Sequence, residues 1–161
     1  MRFTLPLSII LSFFLVFFQN CARPFDVEGN PTSPITSTDP EFIPYIQDFE
    51  YYYGQDVSIP IGFGDEKEGI AGTCHYRWDH GRIVGDFIMV DRGYWPKMTF
   101  IQQKNLIFHE LGHCVLGRDH VPWNNGVMAC PSSFMYEAVM SDYCLQTNWD
   151  LYIKEMFGEN R

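Results

Sequence analysis

From Thr99 to Leu116 the chain contains no proline and one glycine, Gly112, and within this run stands His109-Glu110-Leu111-Gly112-His113. Thr99 followed three residues later by Gln102 fits a capping box, which predicts a helix over 100–116. At 3.6 residues per turn, positions four apart share a face, so His109 and His113 can offer two imidazoles to one metal ion without backbone distortion. Glu110, beside the first imidazole, can reach a water activated by that metal and take its proton. Such a metal makes water acidic near neutral pH and polarises a carbonyl under attack, so the pattern predicts hydrolysis of peptide bonds.

A third ligand lies close by. After His113 the chain runs Cys114-Val115-Leu116-Gly117-Arg118-Asp119-His120. Gly117 can end the helix with a positive φ, and His120 can return to the metal. The whole string from His109 to His120, H-E-L-G-H-C-V-L-G-R-D-H, resembles the zinc-binding signature of the metzincin metallopeptidases. That resemblance implies Zn2+ held by His109, His113 and His120, with Glu110 as the catalytic general base. In one respect the string departs from the family: three residues separate the second histidine from the glycine, where the family has two. Asp119 therefore occupies the place that strict spacing gives the third ligand, and some metzincins use Asp there. His120 is preferred, because its distance from the turn glycine matches the family and a neutral imidazole suits zinc; Asp119 stays as the alternative.

The resemblance also implies a methionine in a tight turn beneath the metal. Met135, in Ser133-Phe134-Met135-Tyr136, is the best match and Met128 the second. Tyr136 would hydrogen-bond an oxyanion or approach the metal. The family's fold is α/β, a small twisted, mostly parallel sheet with an antiparallel edge strand, an active-site helix and a C-terminal helix. Its edge strand accepts substrate as an added antiparallel strand, and Ile83–Val90 takes that place here.

Other elements follow from periodicity. Phe42, Ile46, Phe49 and Tyr53 recur at helical steps before Gly54, and Trp149, Tyr152, Ile153 and Met156 mark a closing helix over 148–157 behind a Thr147 or Asn148 cap. Strands are predicted over 57–63, 70–78 and 83–90, the last two separated by Asp79-His80-Gly81. Trp78, Tyr94, Trp95 and Trp123 are expected as core or rim residues, and His75 and His80 at the surface or in turns.

At the N-terminus, Arg2 precedes an apolar run from Leu5 to Phe18, shorter than the roughly 20 residues that span a bilayer, so residues 1–20 read as a signal peptide. Cys21 resembles the lipidation site of bacterial lipoproteins, which predicts a membrane anchor there; plain secretion or a periplasmic location is the alternative. Residues 21–40, dense in Pro, Ser and Thr, read as a flexible tether, with an inhibitory segment using Asp26 or Asp39 as the lesser reading. The single domain then occupies 41–161 and is expected to be monomeric. Apart from Cys21 the cysteines are Cys74, Cys114, Cys130 and Cys144, an even set suited to two disulfides outside the cytosol, with three pairings open and buried free thiols as the bland reading. A formal charge of -9 argues against nucleic acid as a partner and leaves a peptide or protein substrate.

Two further readings compete with an exported, lipid-anchored zinc metalloendopeptidase of metzincin type. In a thermolysin-like site Glu137, from a second helix, would be the third ligand. Alternatively, a non-catalytic surface lipoprotein would keep the zinc site for structure alone.

Overall fold

The computed structural model describes residues 35–123 and 130–158. The leader, Cys21, Asp26, most of the tether and Met128 lie outside the described residues. In chain order the elements are α1 (Ile43–Tyr53), β1 (Ile61–Gly64), β2 (Gly72–Asp79), β3 (Arg82–Asp91), α2 (Phe100–Cys114) and α3 (Asp142–Phe157), with 3-10 turns at Pro40–Phe42 and Trp95–Lys97. The chain is an α/β protein with a mixed three-stranded sheet and three helices among the described residues.

The predicted apolar stripe of α1 is buried: Phe42 and Phe49 are fully covered, and Ile46 nearly so. Gly54 closes the helix in the left-handed region at φ 77°, which a glycine enters without a Cβ penalty. Packing reaches back beyond the expected domain start at residue 41. The Asp39 N–H donates to the Ile61 carbonyl at 2.8 Å, and Ile35 lies over Gly62. Asp39 itself accepts from the Glu41 N–H at 3.0 Å and caps the first 3-10 turn, so it serves as a cap at this end of the domain.

Strand order is β1-β3-β2, with β3 parallel to β1 and antiparallel to β2. This corrects two expectations. The sheet is evenly mixed, and Ile83–Val90 belongs to the central strand, while the antiparallel edge strand is β2. The reason stands in the sequence: Phe87-Ile88-Met89-Val90 is apolar without alternation and all four are buried, the pattern of a strand covered on both faces. A two-residue turn joins β2 to β3. His80 and Gly81 both have positive φ, 48° and 82°, as the tight hairpin turn matching strand twist requires.

Helix α2 lies across β2 and β3, flanked by α1 and α3. Phe108 is the aromatic centre of the core, with ring centroids 5.4 Å from Phe49, 5.6 Å from Phe134 and 5.5 Å from Trp149. The sheet meets the end of α2 closely at Gly85, where an added Cβ would come 2.5 Å from the Cys114 carbonyl oxygen. Beside this contact a disulfide joins Cys74 of β2 to Cys114, and a second joins Cys130 to Cys144. The pairing left open by the sequence is thereby settled, and both bridges fit an oxidising compartment outside the cytosol. No described helix is long and apolar enough to cross a membrane.

The closing helix starts earlier than its Trp149–Met156 stripe predicts. Ser141 is the cap, accepting from the Cys144 N–H at 3.3 Å, and Asp142 sits in the first turn where the helix dipole favours an anion. Asn148, expected as a cap, is buried inside the helix and donates to the Cys144 carbonyl at 3.1 Å. Trp95 is core; Trp78 and Trp123 are exposed, the latter edge-on to Tyr136 at 5.4 Å.

Candidate metal centre

The helix that carries the site is fixed locally at both ends. At its start the Thr99 hydroxyl accepts from the Gln102 N–H, and the Gln102 side chain accepts from the Thr99 N–H at 3.1 Å. At its end Gly117 takes φ 63°; its N–H donates to the His113 carbonyl at 3.1 Å and the Arg118 N–H to the Gly112 carbonyl at 3.0 Å. The first of these is the bond of a left-handed glycine cap, and the wider second bond nests around it; together they satisfy late helical carbonyls and reverse the chain. The turn places His120 back over the face that carries His109 and His113.

All residues from Asn105 to Cys114 are buried, including His109, Glu110 and His113 at 0%, 2% and 2% exposure. Burying three ionisable groups on one helix is costly unless they are neutral, paired or bound to a metal. Burial holds all three imidazoles below their ordinary value: His109 far below, His113 down to about 4, and His120 below by a lesser amount. At neutral pH each ring is therefore uncharged and keeps one lone pair.

Two backbone carbonyls decide where those lone pairs point. His109 Nδ1 lies 2.8 Å from the Phe134 oxygen and His113 Nδ1 lies 2.5 Å from the Arg118 oxygen. A carbonyl only accepts, so each Nδ1 carries the hydrogen and each Nε2 the lone pair. Yet His113 Nε2 is 3.0 Å from His109 Nε2, which is itself 3.2 Å from His120 Nε2. In the His109–His113 pair both Nε2 atoms carry lone pairs and neither has a proton to share, so these two repel unless a cation lies between them. A tetrahedral zinc with bonds of about 2.0–2.1 Å would space its nitrogens about 3.3 Å apart, close to these separations. Thus the donor set fits a metal ion, and His109, His113 and His120 form one group whose ligand atoms lie within 4.8 Å of one another.

Low imidazole basicity has a measurable consequence. Protons compete for a ring only at and below the pH where it titrates, so a bound metal should be retained at pH 5.5 and lost only in more acidic solution. Stepwise acidification with a metal-sensing dye checks this; release centred near 6.5 would mean that the rings are solvated.

Glu110 faces the edge strand, and the Cys74 N–H hydrogen-bonds its carboxyl. Burial pushes that carboxyl up to about 8; the Cys74 bond opposes the rise and the charge of Glu66 adds to it. A cation at the three histidines would act in the opposite sense and favour the carboxylate.

Of the alternatives raised by the sequence, Asp119 is exposed and outside the ligand group, and Glu137 is exposed at a bend that belongs to no helix. Met135 is fully buried against α2, where a Cβ at Gly112 would come 2.5 Å from its sulfur. Tyr136 is half-buried against Trp123. His80 is exposed beside Asp79, whereas His75 is half-buried and stacked on Phe87 with ring centroids 4.3 Å apart. The groups that sequence reasoning missed are the Phe134 and Arg118 carbonyls, since a backbone acceptor leaves no trace in residue identity. No protein-family model, curated protein or solved structure matches this chain.

Proposed function

We propose that this chain is an exported zinc metallopeptidase of metzincin type. The observation that carries the proposal is the convergence of the His109, His113 and His120 Nε2 atoms beside the buried Glu110. When bound, zinc supplies a Lewis acid that brings the pKa of water close to 7 and polarises the scissile carbonyl. His109 and His113 hold their tautomers through the Phe134 and Arg118 carbonyls and so present lone pairs, not N–H groups, to the ion. Glu110 takes a proton on its carboxylate during attack and delivers it to the departing amine. Three imidazoles without a fourth side-chain ligand among the described residues suit a catalytic site better than a closed structural one.

The edge position of β2 supports a peptide as substrate. A strand at a sheet edge can pair with an extended peptide, and the Cys74 N–H of this strand touches the carboxyl of Glu110. Substrate added along β2 would lie next to the base. Anchoring through a lipid on Cys21 belongs to the same proposal and rests on the sequence alone.

The test is cleavage of a broad peptide library by the purified protein, before and after treatment with a chelator. Cleavage that stops with chelation and returns with added zinc is expected. Full zinc loading with no cleavage of any library member would leave a non-catalytic zinc-binding protein instead.

A further inference from the structure

The two carbonyls that orient His109 and His113 come from separate segments, and one side chain of a third segment ties both. Glu155, on α3, accepts from the Arg118 guanidinium on one carboxylate oxygen and from the Ser133 hydroxyl on the other, the latter at 2.7 Å. Arg118 also donates to the Glu155 backbone carbonyl at 3.1 Å. Ser133 is fully buried, and its hydroxyl oxygen in turn accepts from the Met135 N–H at 3.0 Å, which closes the turn displaying the Phe134 carbonyl to His109. The same turn holds the segment after the third histidine, since the Val121 N–H donates to the Met135 carbonyl at 2.8 Å.

We infer that Glu155 is a positioning residue for the metal centre, a two-oxygen clamp joining the segment that orients His113 to the turn that orients His109. The inference rests on the metallopeptidase reading only in its first part, metal binding by the three histidines.

A carboxylate suits this task because its two oxygens accept from two donors at once, and no neutral side chain of similar length offers two such acceptors. The clamp is itself held by the core. Tyr152, Ile153 and Met156 of α3 are buried, and the Met156 methyl lies near Gly112, between the ligands of α2. Stability alone does not account for the arrangement. The Arg118 and Glu155 side chains are 24% and 30% exposed, so water partly screens their ion pair and limits what it adds to folding. What the pair does is fix the distance between two carbonyl-bearing segments, and groups that orient metal-binding imidazoles typically change metal affinity by about 10–100-fold when removed.

The experiment loads the full chain with Co2+ and compares wild type with Glu155→Ala and Glu155→Gln. Three quantities are read: the rate of metal loss to a chelator, the visible absorption bands of cobalt, and the melting temperature of the metal-free protein. In Glu155→Ala we expect metal loss faster by about 10–100-fold and altered bands, with melting shifted by a few degrees at most. Glu155→Gln, which keeps one acceptor, should fall between this variant and wild type. Wild-type loss rates and bands in Glu155→Ala would overturn the inference, as would a lowered melting temperature with unchanged bands. If Glu155→Ala does not fold, Arg118→Gln decides by the same readings, because it cuts the clamp and leaves the Arg118 carbonyl in place. Failure of the wild type itself to take up cobalt would overturn the metal centre, a result distinct from failure of the clamp.

Discussion

Glu110→Gln should abolish peptide cleavage, retain zinc, and raise the melting temperature of the metal-free protein at pH 7. Glutamine keeps the shape and can accept from the Cys74 N–H, but it cannot take up a proton, so the loss of general-base catalysis should be about 10²–10⁴-fold or more. The gain in stability follows from burial. The carboxyl titrates at about 8 in the folded chain against an ordinary 4.5, so the folded state binds the proton more tightly across that interval. Stability of the metal-free wild type therefore falls as the pH rises from about 4.5 to 8, and at pH 7 the accumulated penalty is about 3 kcal/mol. Glutamine has no such titration. Its variant should melt roughly 10 °C higher at pH 7 and show no gain near pH 4. Wild-type cleavage rates in the variant would remove Glu110 from the chemistry, and equal melting at pH 7 would mean that its carboxyl is solvated.

The second large effect concerns the third ligand. His120→Ala should weaken zinc binding by about 10²–10⁴-fold, taking one histidine's share of the roughly 10–16 kcal/mol that structural zinc contributes in small domains. Asp119→Ala and Glu137→Ala should bind zinc nearly as wild type does, because both side chains face solvent outside the histidine group. Competition against a chromophoric chelator, run on the three variants side by side, reads the difference directly. Near-normal affinity in His120→Ala, with loss in either carboxylate variant, would reassign the ligand.

Most signals carried by neighbouring residues are legible in this sequence, while strand order and the start of the last helix are not. The capping box at Thr99, the helix end at Gly54, the positive φ of Gly117 and the single-face spacing of His109 and His113 each depend on neighbouring residues, and each stands in the structure. Strand order depends on partners distant in the chain. The place of β3 was misassigned although its unbroken apolar run, 87–90, is what a strand covered on both faces requires. The start of α3 was missed because its aromatic stripe begins at Trp149, while the first turn is set by Ser141 and anchored by Cys144 and Leu145, which carry no strong period. The histidine supports were hardest to read. Phe134 and Arg118 act through carbonyls, and Glu155 looks in sequence like any solvated acid on a terminal helix.

The left-handed turn at Gly117 also bears on the order in which the chain assembles. His109 and His120 are eleven residues apart, so closing the loop between them costs little chain entropy, and contacts at that separation form early during folding. The Phe134 carbonyl reaches His109 from twenty-five residues away, and Glu155 reaches Arg118 from thirty-seven. A metal ion present during folding can thus gather the three imidazoles around a half-formed α2 before α3 has docked. Docking of α3 would then hold the Phe134 and Arg118 carbonyls against the rings, so a metal ion bound early would be enclosed by the segments that fold last.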